Sequence, residues 1–73
     1  MDTHKIKIGT NAGVVWQTLS AKGNMTIYEL LSQTQLDLFD LATAIGWLAR
    51  ENKINLIETD GKQYYAVFQE CYY

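Results

Sequence analysis

The sequence predicts an α+β domain of three helices followed by a β-hairpin. Three observations lead there. Thr26 and Glu29 form a T-x-x-E box, Asp37 and Asp40 repeat the start signal eleven residues later, and Asp60-Gly61 separates two β-rich runs. The first two fix helix starts through the unpaired backbone N–H groups of a first turn. The third fixes a tight turn, because Asp-Gly readily supplies the two positive-φ residues of a type I′ hairpin.

Taken in order, Lys5 to Ile8 alternates polar and apolar residues, the period of a short N-terminal strand. Thr10 or Asn11 can cap a first helix, in which Ala12, Val15, Trp16 and Leu19 fall at i, i+3, i+4 and i+7 and line one face. Gly23 is a natural stop, since glycine takes positive φ without a Cβ clash. The second helix starts at Thr26, with Met25 and Leu30 placed as a hydrophobic staple across the capping box, and should end between Gln33 and Gln35. Asp37 caps the third, with Asp40 at N3 and Leu36 stapled to Leu41; both acids suit the positive end of the helix dipole. Leu41, Ala44, Ile45, Leu48 and Ala49 then form an inward stripe, to pack with Trp16, Leu19, Ile54 and Val67 as the core. Asn52 replaces the usual terminal glycine, and Ile54–Thr59 and Lys62–Gln69 read as the hairpin strands.

A two-residue turn at Asp60-Gly61 pairs Thr59 with Lys62, Ile57 with Tyr64, Leu56 with Tyr65, and Ile54 with Val67. One face then carries Ile54, Leu56, Tyr65 and Val67, the expected core side. The other carries Ile57, Tyr64, Ala66 and Phe68, apolar where a hairpin capping a helical core should be polar. Either the N-terminal strand, the Tyr72-Tyr73 tail or a second subunit covers it. A homodimer through Ile57, Tyr64, Phe68, Tyr72 and Tyr73 is the expectation, since a contiguous apolar patch on a small protein marks an interface.

Composition narrows the function. With 48% hydrophobic residues the 73-residue chain can fill one core, and residues 1–73 are expected to form one domain. Eight acidic residues against six basic ones give a net charge of −2, which opposes strong non-specific affinity for nucleic acid but leaves room for a local basic patch. Neither a signal peptide nor an 18-residue apolar run is visible, so no membrane is involved and the cytoplasm is the expected compartment. His4 and Cys71, each the sole residue of its kind, stand far apart, without metal-ligand or nucleophile spacing. With only Glu70 as a charged neighbour, Cys71 reads as an ordinary thiol. No glycine loop for phosphates is present, so no enzyme, cofactor, metal or small-molecule ligand is expected.

Two short capped helices, with the second of them leading into a hairpin, follow the order of a winged helix-turn-helix. The pattern Leu41-x-x-Ala44-Ile45-x-x-Leu48-x-x-x-Asn52-x-Ile54, followed by a short wing, resembles the second half of many bacterial winged helix-turn-helix regulators. It is similar to a family of small stand-alone winged-helix proteins of uncharacterised function found in bacteria, over residues 11–68. In DNA-binding members the third helix enters the major groove and the wing contacts the backbone or minor groove. That resemblance implies a DNA-binding, transcription-regulator-type module.

Carried over by position, the recognition face would be Ala42, Thr43, Gly46, Trp47 and Arg50, with Lys53 and the wing residue Lys62 nearby; Thr43, Trp47, Arg50, Lys53 and Lys62 are the nucleic-acid candidates. Of the recognition face, Thr43 and Arg50 alone offer hydrogen bonds to a base edge or phosphate. Trp47 could stack on a base or fill a helix flank. Ala42 and Gly46 could admit a second backbone or be undemanding surface. Asp37 and Asp40 stand where phosphates would approach, and Asp60 offsets Lys62. The alternative is therefore a protein–protein interaction module on a winged-helix scaffold that does not bind DNA.

Overall fold

The structure is a computed structural model that describes residues 3–68, with side chains from residue 6 onward. Its elements are α1 (Thr3–Lys22), α2 (Ile27–Thr34), α3 (Leu38–Arg50), β1 (Ile54–Thr59) and β2 (Lys62–Val67). Three helices are followed by an antiparallel hairpin, as expected.

The capping chemistry is in place. The Thr26 hydroxyl accepts from the Glu29 N–H at 3.2 Å, and the Glu29 carboxylate accepts from the Thr26 N–H at 3.0 Å, closing the box. Asp37 Oδ1 accepts from the Asp40 N–H at 2.7 Å. Gly23 ends α1 at φ 92°, and Gln35 and Asn52 end α2 and α3 at φ 61° and 57°. Asn52 works as its side-chain type suggests, since asparagine tolerates the left-handed region better than most residues. Gln35 had no such signal. Its N–H donates to the Leu31 carbonyl at 3.2 Å.

The hairpin register is the expected one, from Ile54 opposite Val67 to Thr59 opposite Lys62. Asp60 and Gly61 take φ of 52° and 77°, the type I′ signature. A third strand position appears outside the hairpin. Met25 N–H donates to Tyr65 O at 3.1 Å, and Tyr65 N–H donates to Met25 O at 2.7 Å. Tyr65 faces Leu56 at a position where its N–H and C=O point away from β1, so the bridge satisfies groups that would otherwise be orphaned.

The core joins one face of α1 to α2, α3 and the base of the hairpin. Ala12, Val15, Leu19, Met25, Leu30, Leu41, Ala44, Leu48 and Ile54 are buried, with Leu36, Ile45, Tyr65 and Val67 packed against them. The two staple pairs, Met25 with Leu30 and Leu36 with Leu41, thus belong to one core.

The N-terminal reading is corrected. Lys5–Ile8 lies inside α1 and not in a strand, and Thr10 and Asn11 are mid-helix residues, not caps. The alternation matched period two, but Ile8 also extends the Ala12–Val15–Leu19 stripe by one turn and is half-buried. Packing against α3 decides for the helix. Trp16 and Ala49, expected inside, are exposed. Each sits at the edge of its helix's apolar stripe, where one residue of rotation separates core from surface.

Asn11 is buried and its Nδ2 has no hydrogen-bond partner. An unsatisfied buried amide costs about 1–3 kcal/mol, and asparagine is also a poorer helix former than alanine. Asn11→Ala should therefore stabilise the fold by about 1 kcal/mol, visible as a raised denaturation midpoint. A lowered midpoint would show that the amide has a partner in solution.

Candidate functional site

Successive residues of α3 advance by about 100°, which divides the helix into three faces. Leu41, Ala44 and Leu48 point into the core. Asp40, Thr43 and Trp47 turn toward α1. Leu38, Phe39, Ala42, Gly46, Ala49 and Arg50 point outward and are exposed.

The face toward α1 is engaged. Lys7 Nζ lies 3.1 Å from Asp40 Oδ2, and the Asp40 side chain is largely covered. Thr43 Oγ1 donates to the Asp40 carbonyl at 3.0 Å. Trp47 stands with Trp16, Gly9, Ala12, Gly13, Gln17, Leu48 and Lys53 around an open cleft of about 240 Å³. Trp16 and Trp47 are 39% and 37% exposed, so each is partly covered where it borders the cleft.

The outward face is apolar. Phe39 is 70% exposed and Leu38 60%, and Ala42, Gly46 and Ala49 follow before the first polar side chain, Arg50. Nothing lies within 4 Å of where a Gly46 Cβ would stand, so packing within the chain does not require glycine there.

The five nucleic-acid candidates are consequently dispersed. Thr43 and Trp47 belong to the side against α1, not to the outward face. Arg50 projects from the last turn of α3. Lys53 borders the tryptophan cleft, while Lys62 borders a second depression with Tyr28 and Gly61 at the wing tip. Lys7, read as part of a solvated strand, instead neutralises Asp40. Asp37 is exposed at the start of α3.

On the hairpin, Ala66 is buried, Tyr64 is half-buried, and Ile57 and Phe68 are each 40% exposed. The core-side residue Leu56 is exposed because the strands run past the core toward the wing tip. Tyr72, Tyr73 and Cys71, with the side chains of His4 and Lys5, lie outside the described residues. Sequence reasoning assigned Leu38 and Phe39 no role. The signal was available: Phe39, Ala42, Gly46 and Ala49 follow i, i+3, i+7, i+10 spacing, a second apolar stripe beside the core stripe.

Among the described residues no group of three or more His, Cys, Asp or Glu side chains could hold a metal ion, and no described helix is long and apolar enough to cross a membrane.

Helix, helix-turn-helix and wing define a winged helix-turn-helix. The chain belongs to the winged helix-turn-helix domain family DUF2582, whose model matches residues 1–67. It is similar to protein BT2368 from Bacteroides thetaiotaomicron, known from a solution NMR structure. The two share 36% sequence identity over 88% of this chain and 78% of that one, with a TM-score of 0.78. No curated protein matches the chain.

Proposed function

We propose that this domain is a protein–protein interaction module on a winged-helix scaffold, cytoplasmic and without catalytic activity of its own. The observation that supports it is the outward face of α3, which carries two exposed bulky apolar residues and three small ones before Arg50. A helix that reads the major groove presents side chains that hydrogen-bond base edges, and phosphate donors flank it. Here the exposed polar side chain at the start of the helix is Asp37, which repels phosphate. The fold remains the support for the second reading, a DNA-binding, transcription-regulator-type module using Arg50, Lys53 and Lys62, because fold alone does not assign function.

A salt titration with random duplex DNA separates the two. Ordinary non-specific binders show dissociation constants of about 10⁻⁴–10⁻⁶ M at physiological salt, with a slope of about −0.9 per phosphate neutralised. This chain should bind at the weak end of that range or not at all, with a shallow slope that Arg50→Ala leaves unchanged. Tight binding with a steep salt dependence, lost on Arg50→Ala, would establish the DNA reader.

A further inference from the structure

We infer that the outward face of α3 seats a second copy of this chain, the two α3 helices crossing antiparallel about a two-fold axis. The inference rests on the interaction-module reading and names its partner.

The shape of the face is polarised. Leu38 and Phe39 stand in the first turn, 60% and 70% exposed, while the rest of the face is Ala42, Gly46 and Ala49. Large residues at one end and small ones at the other make the surface complementary to itself, but in one orientation only. Placed antiparallel about an axis midway along α3, Phe39 of each copy comes against Ala49 of the other, Ala42 against Gly46, and Leu38 beside the aliphatic stem of Arg50. Placed parallel, bulky residues would collide at one end and leave a void at the other. Isologous contact about a two-fold axis is also the commonest way that identical chains associate.

Charge selects the same orientation. With Asp40 paired to Lys7, Asp37 is the exposed acid at the start of α3, and Arg50 stands in its last turn. Antiparallel pairing brings Arg50 of each copy to the acidic end of the other, and also opposes the helix dipoles; a parallel pair would set like charges together. Gly46 gains a role as well. A mid-helix glycine is about 1 kcal/mol less favourable than alanine, and the space beside it is open within the chain. A helix without a side chain at that position lets a second helix approach closely, the distance between axes being set by the residues at the contact. In this arrangement the helix that reads DNA in other winged-helix proteins is buried in the dimer seam.

The hairpin face is the competing seat. Its Ile57 and Phe68 are 40% exposed and Tyr64 is half-buried, so it offers less free apolar surface than Leu38 and Phe39 do.

Sedimentation equilibrium from micromolar to millimolar concentration tests the proposal. A single helix pair is a small interface, so the wild-type chain should dimerise weakly, within this concentration range. Phe39→Glu and Gly46→Glu should each weaken association at least 100-fold while circular dichroism shows the helices intact, both positions being open. Tyr64→Glu should leave association unchanged. In a Cys71→Ser background, Ala42→Cys near the axis should cross-link under mild oxidation, and Leu38→Cys should not. Monomer formation by Tyr64→Glu but not by the α3 variants would overturn the inference in favour of the hairpin. Cross-linking through Leu38→Cys would overturn the antiparallel geometry. A wild-type chain that stays monomeric at millimolar concentration and ignores duplex DNA would overturn the second-copy inference alone. One that stays monomeric and binds duplex DNA tightly would overturn the module reading with it.

Discussion

Leu41→Ala should destabilise the chain by about 3–5 kcal/mol, the upper part of the range for truncating a buried leucine. Leu41 is fully buried, sits in the first turns of α3 and packs in the cluster that joins α1, α2 and the hairpin base. Truncation removes apolar contact and leaves a void that this region cannot easily fill, because it is held by caps at both ends of the neighbouring turn. At about 0.05–0.15 kcal/mol per residue, a domain of this size has roughly 4–11 kcal/mol in total. The loss is therefore a large fraction of the whole, and the urea midpoint followed by circular dichroism should fall sharply. Leu56→Ala, at an exposed position on the same chain, should change stability by less than about 1 kcal/mol. Equal effects of the two substitutions would mean that the core face of α3 is misplaced.

Met25→Ala should follow closely, at about 2–4 kcal/mol. Met25 is buried, staples the start of α2, and exchanges two backbone hydrogen bonds with Tyr65 of the wing. Its side chain anchors the segment whose backbone holds β2 from the side opposite β1. The loss should therefore spread beyond the cavity. Hydrogen exchange should accelerate at the Tyr65 amide more than at the Ile57 amide, which faces Tyr64 within the hairpin. Uniform acceleration across both strands would show that the bridge contributes nothing local.

The Met25–Tyr65 bridge is an instance of what sequence reading lacks. The capping box announces Met25 as a staple residue, but nothing nearby says that its backbone pairs with a residue forty positions later. The candidate site divides along the same line. Arg50 was legible as an exposed basic residue at the end of α3, because helical periodicity alone puts it off the core. Thr43 and Trp47 looked equally free by that periodicity. They are not, since α1 extends two turns further toward the N-terminus than its caps suggested and lies along that flank of α3. Lys7 reaches Asp40 from this extension, so the charge at the start of α3 is not the one that counting predicts.

By itself the sequence determined the starts of α2 and α3, the type I′ turn, the hairpin register and the central core stripe. These are decided within a few residues, by side chains that satisfy first-turn amides, by residues that tolerate positive φ, and by a turn length that dictates pairing. The tertiary structure decided the state of residues 5–8, the exposure of Trp16 and Ala49, the burial of Asn11, and which flank of α3 stays open. Those depend on the energy of packing one element against another, which outweighs a two-residue alternation or the choice between residues at a stripe's edge. The function follows that second group, because what α3 can touch is settled by the side that α1 covers.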